Sequence, residues 1–208
     1  SFAEAEIALE SGTRFESDFR FRERQGGAAK ARMASEALEL VEPGMTVMIN
    51  DGSMAALLGQ RLTAKRPLTV ITNNAAVIDA LKGEAGIILI ALGGIYSAKF
   101  NAFLGKVTEE SLSGLRADIA FISTPAVAGL EVFHMDEQVV RAKRQMMDRA
   151  HKCCLVVSHS RFGHAALYRL GALAEFDHII TDDRPDTETV KLFRDAGLPL
   201  TIARKEEA

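Results

Sequence analysis

The sequence predicts an α/β domain with a mainly parallel central sheet and helices on both faces. Three observations predict it: short runs apolar at nearly every position, helix-patterned segments between those runs, and small or polar residues just after each run. Runs of that kind suit strands buried on both faces, and the intervening helices supply the cover. Their alternation is the pattern of parallel α/β architecture. With 208 residues, 48% hydrophobic and 25% charged, the chain holds enough apolar material for one substantial core.

The elements follow in order. Residues 1–27 are the least regular stretch, with several glycines and Arg14, Arg20, Arg22 and Arg24 among few apolar anchors. They read as a connector, leaving residues 28–208 as the domain proper. From Ala28, Ala31, Ala34, Leu38 and Val41 recur at helical spacing until Pro43-Gly44 stops the helix. Strands are expected at Met45–Asn50, Leu68–Thr72, Ile87–Leu92, Ala117–Ser123, Cys153–Ser158, His178–Thr181 and near Pro199–Ile202. Helices are expected through Ala55, Leu58 and Leu62, near Ala76–Leu81, over Glu137–Ala150 and near Thr187–Ala196.

Bulk properties narrow the function. The formal net charge of -3 argues against gripping nucleic acid with these residues, which calls for a basic stripe. No apolar run approaches the ~18 residues of a membrane helix and no signal peptide is visible, so a soluble cytoplasmic protein without membrane partners is expected. The only cysteines, Cys153 and Cys154, are adjacent in an apolar run. Strand neighbours point to opposite faces, so they read as buried thiols rather than a disulfide. No Cys or His partner stands at metal-ligand spacing, and neither a metal nor a cofactor is expected. No nucleophile–base arrangement stands out, so no catalytic residue is assigned.

In open α/β sheets ligands bind beyond the carboxyl ends of the strands, which makes the residues after each strand the candidates. In Asn50-Asp51-Gly52-Ser53-Met54, glycine and a hydroxyl at a helix start offer backbone N–H donors and the positive end of the helix dipole. That suits an anion, although Ser53 could equally serve only as a cap. Thr72-Asn73-Asn74 can cap the next helix or point amide and hydroxyl groups at a ligand. Gly93-Gly94 makes a tight turn or allows close approach of backbone. Ser123 and Thr124 end the fourth strand, and His159 and Arg161 follow the fifth. Lys143, within a charged helix, faces either solvent or the site.

Together, "VMINDGSM", "LTVITNN", "ILIALGGIY", "FLGKVTEESL", "RADIAFIST", "DEQVVRAKRQMM", "SHSRFG" and "DHIITDD" resemble the C-terminal domain of DeoR-family regulators, from about Arg22 to Ile202. The resemblance implies a fold similar to ribose-5-phosphate isomerase and glucosamine-6-phosphate deaminase. It also implies a sensor that binds a phosphorylated sugar or related metabolite and controls a DNA-binding module. DNA contact would run through a winged helix-turn-helix upstream of residues 1–27, and a homo-oligomer, dimer or tetramer, is implied. Gly52 and Ser53 would cradle the phosphate; Asn73, Asn74, Gly93 and Gly94 would line the sugar; Ser123, Thr124 and Lys143 would close the pocket. The family often has Asp-Ser-Gly-Thr-Thr where this chain has Asn50 to Met54. Asp51 therefore adds a charge that would repel a phosphate, unless it binds sugar hydroxyls or turns outward. The alternative is an isomerase- or deaminase-like enzyme, which needs a positioned base; Ser123, Thr124 and Pro125 stand where carboxylates would be expected.

Overall fold

The structure, a computed structural model, describes residues 19–205. At its centre seven strands pair in parallel throughout: β1 (Thr46–Ile49), β2 (Leu68–Thr72), β3 (Ile87–Ala91), β6 (Ala117–Ser123), β9 (Ala150–Val156), β11 (His178–Thr181) and β12 (Leu200–Ile202). Their order is β12-β11-β9-β6-β1-β2-β3. The chain runs outward from β1 to β3, then returns to β6 on the other side of β1. The strand order thus reverses between β1 and β6, which opens a crevice beyond their carboxyl ends.

Alternation along each strand splits the core into two. Val47, Ile49, Val70, Phe121 and Cys154 face one layer, with α1 (Phe19–Glu23), α2 (Gly27–Leu38), α3 (Ser53–Arg61) and α4 (Ala75–Leu81). Met48, Ile71, Ala120, Ile122 and Cys153 face the other, with α5 (Lys106–Ser113), α6 (Glu137–Asp148) and α7 (Thr187–Asp195). Cys153 and Cys154 therefore sit in different layers, both as free buried thiols. Burial raises both, Cys153 to about 11 and Cys154 further. Both layers are apolar, which is why these strands read as continuous hydrophobic runs.

Three features differ from expectation. β3 is the sheet edge, so its apolar run is only half covered and Ile88 is 66% exposed. β9 begins at Ala150, and its polar start at His151 and Lys152 is exposed. Two small antiparallel units are added: the hairpin β4 (Ile95–Ser97) with β5 (Ala102–Leu104), and a sheet of β7 (Ala126–Ala128), β8 (Glu131–His134) and β10 (Tyr168–Ala172) in the order β10-β8-β7. Of the expected connector, residues 1–18 lie outside the described residues. Phe19, within that connector, is buried in the core, and its N–H donates to the carbonyl of Lys99.

Candidate functional site

The crevice between β1 and β6 holds a cavity of about 290 Å³. Its wall includes Asp51, Gly52, Ser53 and Met54 after β1, Ser123, Thr124 and Pro125 after β6, and Ser158, Ser160 and Arg161 after β9. Lys143 of α6, His134 at the end of β8 and Asp182 after β11 complete the floor and one side. Arg22, Gln25 and Lys30 reach in from α1, α2 and the turn between them.

The floor rests on a buried ion pair. Lys143 Nζ lies 3.0 Å from Asp51 Oδ1, and each residue is 2% exposed. The ammonium also donates to the Ser123 carbonyl at 2.8 Å and to the Asn50 side-chain oxygen at 2.6 Å. Burial alone would raise the Asp51 carboxyl, but Lys143, with Arg22 behind it, holds it below the usual carboxylate range. Burial lowers the Lys143 ammonium, while the Asp51 carboxylate 3.0 Å away opposes that shift. Asp51 thus turns inward, neutralised.

Gly52 is required by geometry. Its φ of 105° is one that side chains rarely adopt, and a Cβ there would come within 3.0 Å of Ser123 Oγ. The turn it makes starts α3 at the cavity wall, where first-turn N–H groups lack intrahelical acceptors. Ser53 does not spend its hydroxyl on a cap: Oγ accepts from Lys30 Nζ at 3.0 Å. Lys30 also donates to the Arg22 carbonyl, so it ties α1 to the start of α3. Burial, then the charges of Arg22 and Arg161, lower the Lys30 ammonium to about 8. Burial followed by Arg22 also lowers Arg161, whose guanidinium has no acceptor among the described residues. The rim is therefore crowded with positive charge.

The remaining carboxylate is committed. Asp182 Oδ1 accepts from His159 N at 2.7 Å, His159 Nδ1 at 2.9 Å and Asp183 N at 2.9 Å. Burial would raise Asp182, but these donors hold it low. His159, Asp182 and Asp183 cluster closely enough to hold a cation. The Asp182 oxygen is saturated by N–H groups, however, and Asp183 faces Arg32 at 3.5 Å and Lys205 at 3.4 Å. The cluster is an ion-pair network that pins the loop after β9.

The structure brings together Asp51, Gly52, Ser53, Met54, Ser123, Thr124, Lys143 and Arg161. The other sequence candidates stand behind or away from the wall. Asn50 supports Lys143 from beneath. Thr72 donates to the Ile49 carbonyl at 2.7 Å. Asn74 caps α4 through Ala76 N and donates to the carbonyls of Asn50 and Gly52, so it shapes the Gly52 turn from below. Asn73 donates to the Phe103 carbonyl at 2.9 Å. Gly93 accepts from Thr108, and Gly94 packs against Thr108 and Leu104, next to the β4–β5 hairpin. His159 turns to Asp182. Thr72, Asn73 and Asn74 thus spend their polar side chains on backbone groups within reach.

The family described as the DeoR C terminal sensor domain matches residues 26–183, which span β1 to β11 and nearly the whole cavity wall. The chain belongs to the DeoR sensor family. It is 28% identical to the uncharacterized HTH-type transcriptional regulator YgbI of Escherichia coli, over 85% of this chain and 69% of that one. To the glycerol-3-phosphate regulon repressor of the same organism it is 25% identical, over 83% and 69%. The deoxyribose operon repressor is 31% identical, over 78% and 65%. Among solved structures, eIF2B delta from Chaetomium thermophilum superposes with a TM-score of 0.52 at 12% identity, over 75% of this chain and 56% of that one. Ribose 5-phosphate isomerase A from Methanocaldococcus jannaschii gives 0.48 at 18%, over 66% and 55%. This chain thus spans little more than half of those structures, and the likeness to eIF2B delta is one of fold.

Within this DeoR sensor domain, sequence reasoning did not pick out Arg22, Lys30, His134 or Asp182. Arg22 read as part of the connector, and Lys30 follows it in the next helix. Only the folding of α1 and α2 across the carboxyl end of β1 turns them inward.

Proposed function

We propose that the cavity binds a small phosphorylated sugar or related metabolite, and that its occupancy controls a DNA-binding module elsewhere in the regulator. The observation that carries this reading is the placement of charge. Lys143 cancels Asp51 on the floor, while Arg22, Lys30 and Arg161 gather around Ser53 and the start of α3. An anion there meets three cations, a hydroxyl and the helix dipole together, and the hydroxylated end lies toward the neutral floor. A relative's name, glycerol-3-phosphate regulon repressor, points to a ligand of this chemistry. Occupancy acts by binding one arrangement of the regulator better than another, which for a homo-oligomer includes the packing of its subunits.

Binding rather than turnover is favoured because both carboxylates on the wall are occupied, Asp51 by Lys143 and Asp182 by the loop after β9. Neither is placed as a base with a free oxygen near neutral pH.

The test is thermal unfolding of the chain with glycerol 3-phosphate, 2-deoxyribose 5-phosphate, their dephosphorylated forms and inorganic phosphate. A ligand at 100 times its Kd stabilises by about 2.7 kcal/mol. A rise with a phosphorylated compound and none with its free form is expected. Equal rises with both forms, or no rise with any phosphorylated compound, would reject the phosphate reading.

A further inference from the structure

His134 ends β8 with 2% of its surface exposed, and that ring forms part of the cavity wall. Its Nδ1 accepts from the backbone N–H of Asp136 at 3.0 Å. A neutral imidazole that accepts at Nδ1 must carry its proton on Nε2. No residue of the described chain accepts from that Nε2–H. A donor on the cavity wall with no acceptor in the described chain is open to a ligand atom.

The neighbourhood keeps the ring neutral. The groups facing it are Lys143 from α6, Asp51 after β1, Arg22 from α1 and Lys99 from the turn before β5. Burial and then Lys143 outweigh Asp51 and lower the imidazolium to about 3. The donor therefore carries no charge, while the Asp51 carboxylate is taken up by Lys143 at 3.0 Å. Beside the cationic rim, the floor thus offers one neutral donor, suited to an uncharged oxygen such as that of a hydroxyl group.

We infer that His134 is a specificity-determining residue, donating from Nε2–H to an oxygen on the hydroxylated end of the effector. The inference rests on the reading of this cavity as the effector site. The rim would select for the anionic group and the His134 floor for the hydroxyl pattern. A histidine that only packs the core, here against Phe100 with ring centroids 5.8 Å apart, would support both ends of the site equally.

The experiment is calorimetric titration of the whole chain and of His134→Phe and His134→Gln with glycerol 3-phosphate, 2-deoxyribose 5-phosphate and inorganic phosphate. His134→Phe is expected to weaken the better-bound sugar phosphate about 10-fold, the worth of one hydrogen bond at a buried site, and to leave inorganic phosphate within about 2-fold. His134→Gln, which keeps an N–H donor, is expected to recover part of the loss. Undiminished sugar-phosphate binding in His134→Phe, or an equal loss of inorganic phosphate, overturns the inference.

Histidine-nitrogen NMR of the unsubstituted chain gives a reading that does not depend on how the variants fold. The Nε2–H form of His134 is expected, with its resonance moving when the sugar phosphate binds; an unmoved resonance in a saturated sample overturns the inference. If the unsubstituted chain binds no phosphate at all, the phosphate reading fails. Free polyols and sugar acids then decide His134 by the same comparison, and binding of none, or binding indifferent to His134→Phe, rejects it too.

Discussion

Lys143 and Asp51 sit 3.0 Å apart at 2% exposure, and neither could be buried as a charge without the other. Removing one partner leaves an uncompensated charge beneath the cavity. Lys143→Met is therefore expected to lower the free energy of unfolding by about 3–5 kcal/mol in urea titration. Pairing it with Asp51→Leu should recover a large part; a double variant no more stable than the single one would show that the ion pair is not the cause. Lys30 gives a pH signature. Its folded value, about 8, lies below the ~10.4 of an unfolded lysine. The folded chain thus releases that proton first, and the cost to stability is in force below about 8 and relieved as pH climbs toward 10.4. An anion beside Lys30 reverses the shift. Effector affinity is expected to fall as pH rises through about 8, with net proton uptake near pH 8 in buffers of different ionisation enthalpy. Flat affinity from pH 7 to 9.5 with no uptake would place the anion elsewhere. Gly52 and Ser53 were legible as a candidate cradle because their spacing is local. His134 was not, since nothing in its own sequence neighbourhood separates it from an ordinary strand histidine.

At the scale of elements, α3 and α4 approach closely at a single glycine. A Cβ on Gly59 would meet both Val77 methyl carbons, at 2.5 and 2.8 Å. Alanine ordinarily gains about 1 kcal/mol over glycine within a helix. Here the short branched Val77 side chain cannot swing aside, and overpacking costs typically about 1–3 kcal/mol. Gly59→Ala is therefore expected to lower the thermal midpoint, and a raised midpoint would mean the two helices separate freely. The strands at Leu68–Thr72, Ala117–Ser123 and His178–Thr181 could be read to the residue because two-sided burial demands unbroken apolar runs. β4, β5, β7 and β8 escaped notice: with only three or four residues each, they carry too little periodicity to stand out from loops. α5 escaped for a related reason, as its buried side consists of little more than Thr108 and Leu112.

For the whole molecule, the α/β class, a core covered on both faces and the family were all legible in the order of residues alone. These follow from local periodicity and from an ordered set of motifs, each held within a few residues. The sequence also pointed to the carboxyl ends of the strands as the candidate site, because small and polar residues follow each apolar run there. Tertiary structure alone decided which of those ends meet. Reversal of strand order between β1 and β6 joins Asp51–Ser53 to Ser123–Thr124, while Asn73, Asn74, Gly93 and Gly94 turn to supporting loops. It also decided the sign of the site. The charge of Asp51 opposes an anion when read along the chain, and it is cancelled by a lysine 92 positions away. Electrostatics acts through space and falls with distance, whereas a sequence records only order along the chain.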